Sequence, residues 1–183
     1  MKQASRFMPK YEPKKASKSA LVVFSAIAAA IVIYQPWYLL VIAGIALLAI
    51  VWSVIEQPKL ERHFQKLCEE RSGLSICEFA REFDPKVVDT WIIRAVYEQL
   101  QTALPTKQNV PIKASDSLFG TLMLDEDDLD LDLAEEIAQR TGRSIEGCES
   151  NPYYGKVTTV RNLVLFFNHQ AHQCNVTEPS TIA

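Results

Sequence analysis

Carboxylates are the residues most able to do chemistry in this chain, and they are concentrated in one stretch. Between Ala114 and Gln139 there are nine acids and no lysine or arginine. Such dense negative charge repels the phosphates of nucleic acid and attracts basic surfaces over long distances. We therefore expect a basic protein partner and no nucleic acid, with an ordinary solvated acidic face as the alternative. The residues expected to bind the partner are Asp127, Asp128, Leu129, Asp130 and Asp132.

Two patterns have part of the spacing of a metal site. Residues 125–136 have the length of a calcium loop, but Asp130 stands where the loop requires glycine and Leu129 replaces a ligand. A second set of possible ligands is His169, His172 and Cys174. This set lacks a fourth partner and lies near the C-terminus. Neither pattern predicts a bound metal.

Catalytic motifs and disulfide spacing are both missing from the sequence. We find no Ser-His-Asp order, no glycine-rich phosphate loop and no metalloprotease motif, so we expect a protein that is not an enzyme. The four cysteines are Cys68, Cys77, Cys148 and Cys174. They show no CxxC pairing, and in a reducing cytoplasm they should be free thiols.

A long uncharged stretch predicts a membrane anchor. Residues 20–55 carry no charge, and Gln35-Pro36 divides them into the apolar runs Ala20–Tyr34 and Trp37–Ile55. As helices these runs would be ~22 and ~28 Å long, against a hydrocarbon core of ~30 Å. We predict a two-helix transmembrane hairpin in the lipid bilayer. The alternatives are a buried hairpin of a soluble protein and a cleaved signal peptide.

The flanking charges predict the orientation of this hairpin. Residues 1–19 carry six basic residues and one acid, Lys59, Arg62 and Lys66 follow the second run, and the turn carries no positive charge. Because positive flanks stay in the cytoplasm, both termini should be cytoplasmic, and we expect a bacterial inner membrane. Residues 1–19 are thus a basic cytoplasmic N-terminus.

Residues 56–83 should form juxtamembrane connector helices. One helix, over 56–73, either continues through Pro58 or bends there, and the capping box from Ser75 to Glu78 opens a shorter one. Next, Asp84 as N-cap and Pro85 as the first helical residue predict a helix over 85–103.

Further helices are indicated beyond the acidic run. Leu129, Leu133 and Ile137 fall on one helical face, and Gly142 should end that helix. Thr158 or Thr159 should cap a last helix, residues 173–183 should be a disordered tail, and no strand is predicted. The fold class is therefore all-α.

The order and spacing of the elements over residues 84–172 resemble the acyl carrier protein family. The local matches are Ser117-Leu118, Leu122-Met123-Leu124, where Met123 replaces a glycine, and Lys156–Val160. The resemblance implies a four-helix bundle with a phosphopantetheine arm on the Ser of an Asp-Ser-Leu triplet at the start of the second helix. Asp128 stands at that place, and a carboxylate cannot carry a phosphodiester-linked arm. The resemblance therefore implies a non-catalytic interaction module without a cofactor.

A literal Asp-Ser-Leu triplet occurs earlier in the chain and gives a second hypothesis. If Ser117 carried the phosphopantetheine arm, the protein would be a true carrier for a membrane lipid or acyl pathway. Against it, Phe119-Gly120-Thr121 is a poor start for a helix. A third hypothesis is a structural membrane subunit, in which the hairpin is the functional part.

Overall fold

The computed structural model describes residues 4–13, 22, 25, 37–125 and 132–172. These residues form five α-helices and no strand: α1 Trp37–Glu70, α2 Ile76–Arg81, α3 Thr90–Ala103, α4 Ala134–Thr141 and α5 Val160–His169. Short 3-10 turns cover Ser5–Phe7 and Cys148–Ser150. The all-α prediction is confirmed for the described part of the chain. The predicted tail, residues 173–183, lies outside it.

The chain divides into two compact units. One contains the chain up to Tyr11 together with everything from Leu67 onward, and the other contains Glu12–Lys66. We call the described residues of the first unit the helical domain. This domain includes α2, which buries Phe79 and Phe83.

Helix α1 is a single element of 34 residues that continues through Pro58. Pro58 removes one backbone donor from the helix, yet α1 does not end there. The part from Leu40 to Glu70 contains an 18-residue window with a mean hydropathy of 2.1, and it is long and apolar enough to cross a membrane. The first apolar run lies outside the described residues, except for Val22 and Ser25, which are helical.

The predicted helix start at Asp84-Pro85 is wrong. Asp84 Oδ1 accepts the backbone N–H of Lys86 at 2.9 Å, which closes a turn. Helix α3 begins at Thr90, because Asp89 is its N-cap and accepts the N–H of Trp91 at 2.9 Å. Asp84 and Asp89 each cap a turn, and a tertiary contact favours Asp89 as the N-cap of α3. The N–H of Asp89 donates to the side chain of Asn168 on α5 at 3.0 Å.

Helix α3 is the centre of the helical domain and contacts α2, α4 and α5. Its buried apolar side chains are Ile92, Ile93, Ala95, Val96 and Leu100. The inner face of α5 consists of Val160, Leu163, Val164 and Phe167, as predicted. Burial of a side chain of this size contributes about 1.5–3 kcal/mol relative to exposure. The core therefore holds both α4 and α5 against α3.

Local capping signals set several helix ends as expected. Ser75 and Glu78 form a reciprocal capping box at the start of α2. Gly142, at φ 65°, ends α4 in the left-handed conformation, which glycine adopts without the steric cost of a Cβ. Thr159 caps α5 by accepting the N–H of Asn162. Tyr154 is exposed.

Candidate interaction site

The predicted partner-binding residues lie at the entry to α4. Of the five, Asp132 is in the described part of the chain and is exposed. Asp127, Asp128, Leu129 and Asp130 lie outside the described residues. Leu133, the residue before α4, and Ile137 within it are both buried, as their spacing predicts.

Two further acids of the run, Glu135 and Glu136, occupy the first turn of α4. Negative charge is favourable there because the unpaired N–H groups at a helix start carry partial positive charge. Glu136 accepts a hydrogen bond from Nε2 of Gln99 and therefore faces α3. Asp132 faces solvent. Of the described acids, Asp132 is thus exposed just before α4, and Glu136 contacts α3 one turn later.

Arg140 links α4 to α3 and to residues Ala4–Tyr11, which we call the N-terminal segment. Its guanidinium donates to Gln99 Oε1 at 2.7 Å, to a carboxylate oxygen of Glu98, and through Nε to the carbonyl of Pro9 at 3.2 Å. Glu98 also accepts from Nη1 of Arg94 at 2.8 Å. The side chain of Arg140 is 3% exposed, and a buried charge is tolerated only when it is paired and hydrogen-bonded.

Sequence reasoning missed Arg140. The available signal was its position three residues after Ile137, on the face of α4 that points inward. A charged residue on such a face predicts a buried partner of opposite charge. The partner could not be read from the sequence, because Glu98 is 42 positions away.

An open groove of about 710 Å³ runs beside this network. The groove is lined by residues of α3 and α4, which include Arg94, Tyr97, Glu98 and Glu136. Lys10 and Tyr11 of the N-terminal segment line it as well. Burial raises the pKa of the Tyr97 phenol above its usual value, because a low-dielectric environment disfavours the phenolate. The groove therefore carries both signs of charge and a neutral phenol.

Asp116, the first residue of the Asp-Ser-Leu triplet, is held in a buried ion pair. Arg71 donates to its two carboxylate oxygens at 2.7 and 2.8 Å and to the carbonyl of Pro111 at 2.9 Å. The backbone N–H of Lys113 donates to the same carboxylate at 2.8 Å. Asp116 is 4% exposed. The charge of Asp116 is therefore neutralised inside the domain, and Asp116 is not one of the exposed acids.

Ser117 lies in a turn. Its backbone pairs with Thr159 in an isolated bridge, and its hydroxyl accepts the N–H of Gly120 at 3.0 Å. A Cβ at Gly120 would lie 3.2 Å from that hydroxyl oxygen, so the turn leaves little room around it. Residues 118–121 form turns, and the next helix in the described part of the chain begins at Ala134.

An apolar cleft of about 670 Å³ lies on the α5 side of the domain. Phe119, Ile145, Phe166 and Thr158 are among its lining residues, and so is the thiol-bearing Cys148. The cleft is mainly hydrocarbon-lined, and its position next to Thr158 places it near the turn of Ser117.

No group of three metal-ligating side chains is placed to hold an ion within the ranges that the structure describes. His169 Nδ1 lies 2.9 Å from the carbonyl of Leu165, and His172 pairs through its backbone with Arg143. Cys174 lies outside the described residues. Cys68, Cys77 and Cys148 are free thiols.

These observations define a class of protein: a helical domain whose chain includes one helix long and apolar enough to cross a membrane. In comparisons with known proteins, the chain matches no protein-family model, no curated protein and no solved structure. The resemblance to acyl carrier proteins therefore stays a prediction.

Proposed function

We propose that this protein is a membrane-anchored, non-catalytic interaction module related in form to acyl carrier proteins. It presents the acidic entry of α4 to a basic cytoplasmic partner at the inner face of a bacterial membrane. The observation that carries the proposal is the exposed Asp132 at the start of an acidic helix, in a chain whose α1 has a long exposed apolar surface. Partners could include an acyl-pathway enzyme or a membrane complex, since such proteins meet carriers through basic patches.

The packing of the N-terminal segment supports a two-span hairpin. Ala4–Tyr11 belong to the same compact unit as the chain from Leu67 onward, Met8 is buried, and Arg140 holds the carbonyl of Pro9. A compact unit lies on one face of a bilayer, so the chain between its two parts must cross an even number of times. With α1 as one crossing, a second crossing is needed, and the composition of the first apolar run predicts it.

The proposed function is tested by photo-crosslinking at Asp132. A photoreactive residue at this position, in the full chain and in its native membranes, should give a defined crosslink to a basic protein. Because Coulomb attraction supplies the contact, changing Asp127, Asp128 and Asp130 to Asn should reduce the crosslink strongly, as should high salt. The matched control is a photoreactive residue at Glu149, another exposed acid in the same domain.

A crosslink that the Asn substitutions leave unchanged would contradict the electrostatic role. It would favour the structural-subunit hypothesis, in which changes at Ala29 or Gly44 disrupt assembly and changes at the acids do not.

The second candidate is a true carrier modified at Ser117. The observation that favours it is the apolar cleft beside the turn of Ser117, which is large enough to shelter a hydrocarbon chain. Intact-mass analysis of the protein purified from its native host tests this directly. A phosphopantetheine group mapped to Ser117 would establish the carrier, and an unmodified Ser117 in cells with an active transferase would exclude it.

A further inference from the structure

The N-terminal segment, Ala4–Tyr11, lies on the helical domain like a bound peptide. It begins with a 3-10 turn that contacts α3, and Ser5 lies beside Ile76 and Thr90 in a shallow depression between α2 and α3. Met8 is the segment's buried anchor, with 8% of its surface exposed, whereas the neighbouring Phe7 is 63% exposed.

Main-chain recognition fixes the register of this segment. The buried Arg140 directs Nε to the carbonyl of Pro9, a contact that any extended peptide can offer. A second guanidinium, that of Arg94, has a buried Nε without a hydrogen-bond partner in the part of the chain that the structure describes. Of these two donors, Arg140 Nε binds peptide backbone and Arg94 Nε has no acceptor among the described residues.

Charge selects what kind of peptide the groove accepts. Lys10 lines the groove together with Glu98 and Glu136. Arg94 and Arg140 also line it, and both pair with Glu98. The carboxylate of Glu136 is therefore the one that a basic residue of a peptide can meet. Glu136 belongs to the acidic first turn of α4, so an acid of this turn also lines the groove. A basic residue two positions after a buried apolar anchor matches this arrangement.

We propose that the groove between α3 and α4 is a binding site for a basic peptide, and that Ala4–Tyr11, which lines it with Lys10 and Tyr11, occupies part of it as an intramolecular competitor. This inference rests on the proposed function and adds its regulation. A partner's basic segment reaches Glu136 only when the chain's own segment leaves, so the resting protein is autoinhibited.

The expected strength of the competition follows from tethering. For a segment tethered to its site within the same chain we take an effective concentration of about 1 mM. If the free peptide binds an open groove with a Kd of about 0.1 mM, the tethered segment weakens an external peptide about tenfold. Displacing the tethered segment should therefore tighten probe binding by about that factor.

The test uses the full-length protein in detergent micelles and a fluorescent peptide with the sequence of residues 4–11 as the probe. Fluorescence anisotropy measures its binding to the wild-type protein and to Met8→Asp, which introduces a charge at the buried anchor. We expect Met8→Asp to bind the probe about tenfold more tightly. Phe7→Asp is the matched control, because it makes the same change at an exposed position of the same segment, and it should bind like the wild type.

A second variant guards against a folding defect in Met8→Asp. Lys10→Glu changes an exposed side chain and adds a third carboxylate to the groove that Glu98 and Glu136 line. The resulting repulsion should loosen the segment, so this variant too should tighten probe binding. A probe that itself carries Met8→Asp should bind none of these proteins.

Equal probe affinity for the wild type, Met8→Asp and Lys10→Glu would overturn the inference, and so would tighter binding by Phe7→Asp. Neither result bears on the crosslink at Asp132. Failure of the autoinhibition is therefore distinguishable from failure of the proposed function.

Discussion

Replacing Asp116 with Ala should destabilise the helical domain more than any surface change. Asp116 accepts three hydrogen bonds, two from Arg71 and one from the backbone of Lys113. The substitution leaves a guanidinium that is 13% exposed without its counter-charge. It also leaves a part-buried N–H without an acceptor.

The magnitude follows from these two losses. Removing one partner of a buried ion pair costs about 3–5 kcal/mol, because the remaining charge stays desolvated, and this figure already contains most of the cost of the lost hydrogen bonds. Since about 1.4 kcal/mol is a factor of ten, the population of the open domain should rise at least about 100-fold.

Hydrogen exchange of the full-length protein in micelles is the suitable assay. The amides of α3 from Ile92 to Leu100 lie in the core and report opening of the whole domain. Their exchange should accelerate at least about 100-fold in Asp116→Ala. The double variant Arg71→Met with Asp116→Leu should recover part of the loss, because an apolar pair leaves no unpaired charge.

The control is Arg81→Met, which removes an exposed ion pair with Glu78. Solvent screens such a pair, so the exchange of α3 should change little. Acceleration of less than about tenfold in Asp116→Ala would refute the reasoning, as would equal effects of Asp116→Ala and Arg81→Met.

Three further predictions concern single residues of the domain. Because burial raises the pKa of Tyr97, the unfolded chain loses this proton first as the pH passes about 10, and the free energy of unfolding falls with rising pH through the folded-state pKa. In Tyr97→Phe, urea titrations between pH 9 and 11 should show a shallower fall of the free energy of unfolding than in the wild type. In the control Tyr154→Phe the fall should be as steep as in the wild type. An equally steep fall in Tyr97→Phe would contradict the prediction. Thr159→Ala removes the cap of α5 and should cost about 1 kcal/mol, seen as faster exchange in the first turn of α5; unchanged exchange would contradict the capping role. Gly142→Ala places a Cβ at φ 65° and should cost about 1 kcal/mol; a midpoint of unfolding equal to that of the wild type would contradict the strain.

Local signals in the sequence were sufficient for much of the fold. The capping box at Ser75, the glycine at 142 and the threonine at 159 each act within a few residues, and each sets a helix end where the pattern predicts it. Asp84 shows the limit of such signals. It and Asp89 are both competent caps, and the choice depends on the contact of Asp89 with Asn168, 79 positions away.

The polar centres of the domain could not be predicted in the same way. Arg71 meets Asp116 across 45 positions, and Arg140 meets the carbonyl of Pro9 across 131. Each contact depends on how the helices pack, which periodicity does not specify. The sequence did indicate where the acids concentrate, but it did not indicate that Asp116 is consumed by a buried ion pair or that Glu136 faces α3.

The central claim is that the chain crosses the membrane twice and returns its helical domain to the face that holds its N-terminus. It is tested most directly in a cysteine-free background with single cysteines at Phe7, Gln35 or Glu149, labelled with a membrane-impermeant maleimide. In intact right-side-out vesicles, the account predicts labelling of Gln35→Cys alone, with Phe7→Cys and Glu149→Cys labelled only after permeabilisation. Labelling of Phe7→Cys and Glu149→Cys from opposite faces would contradict the account.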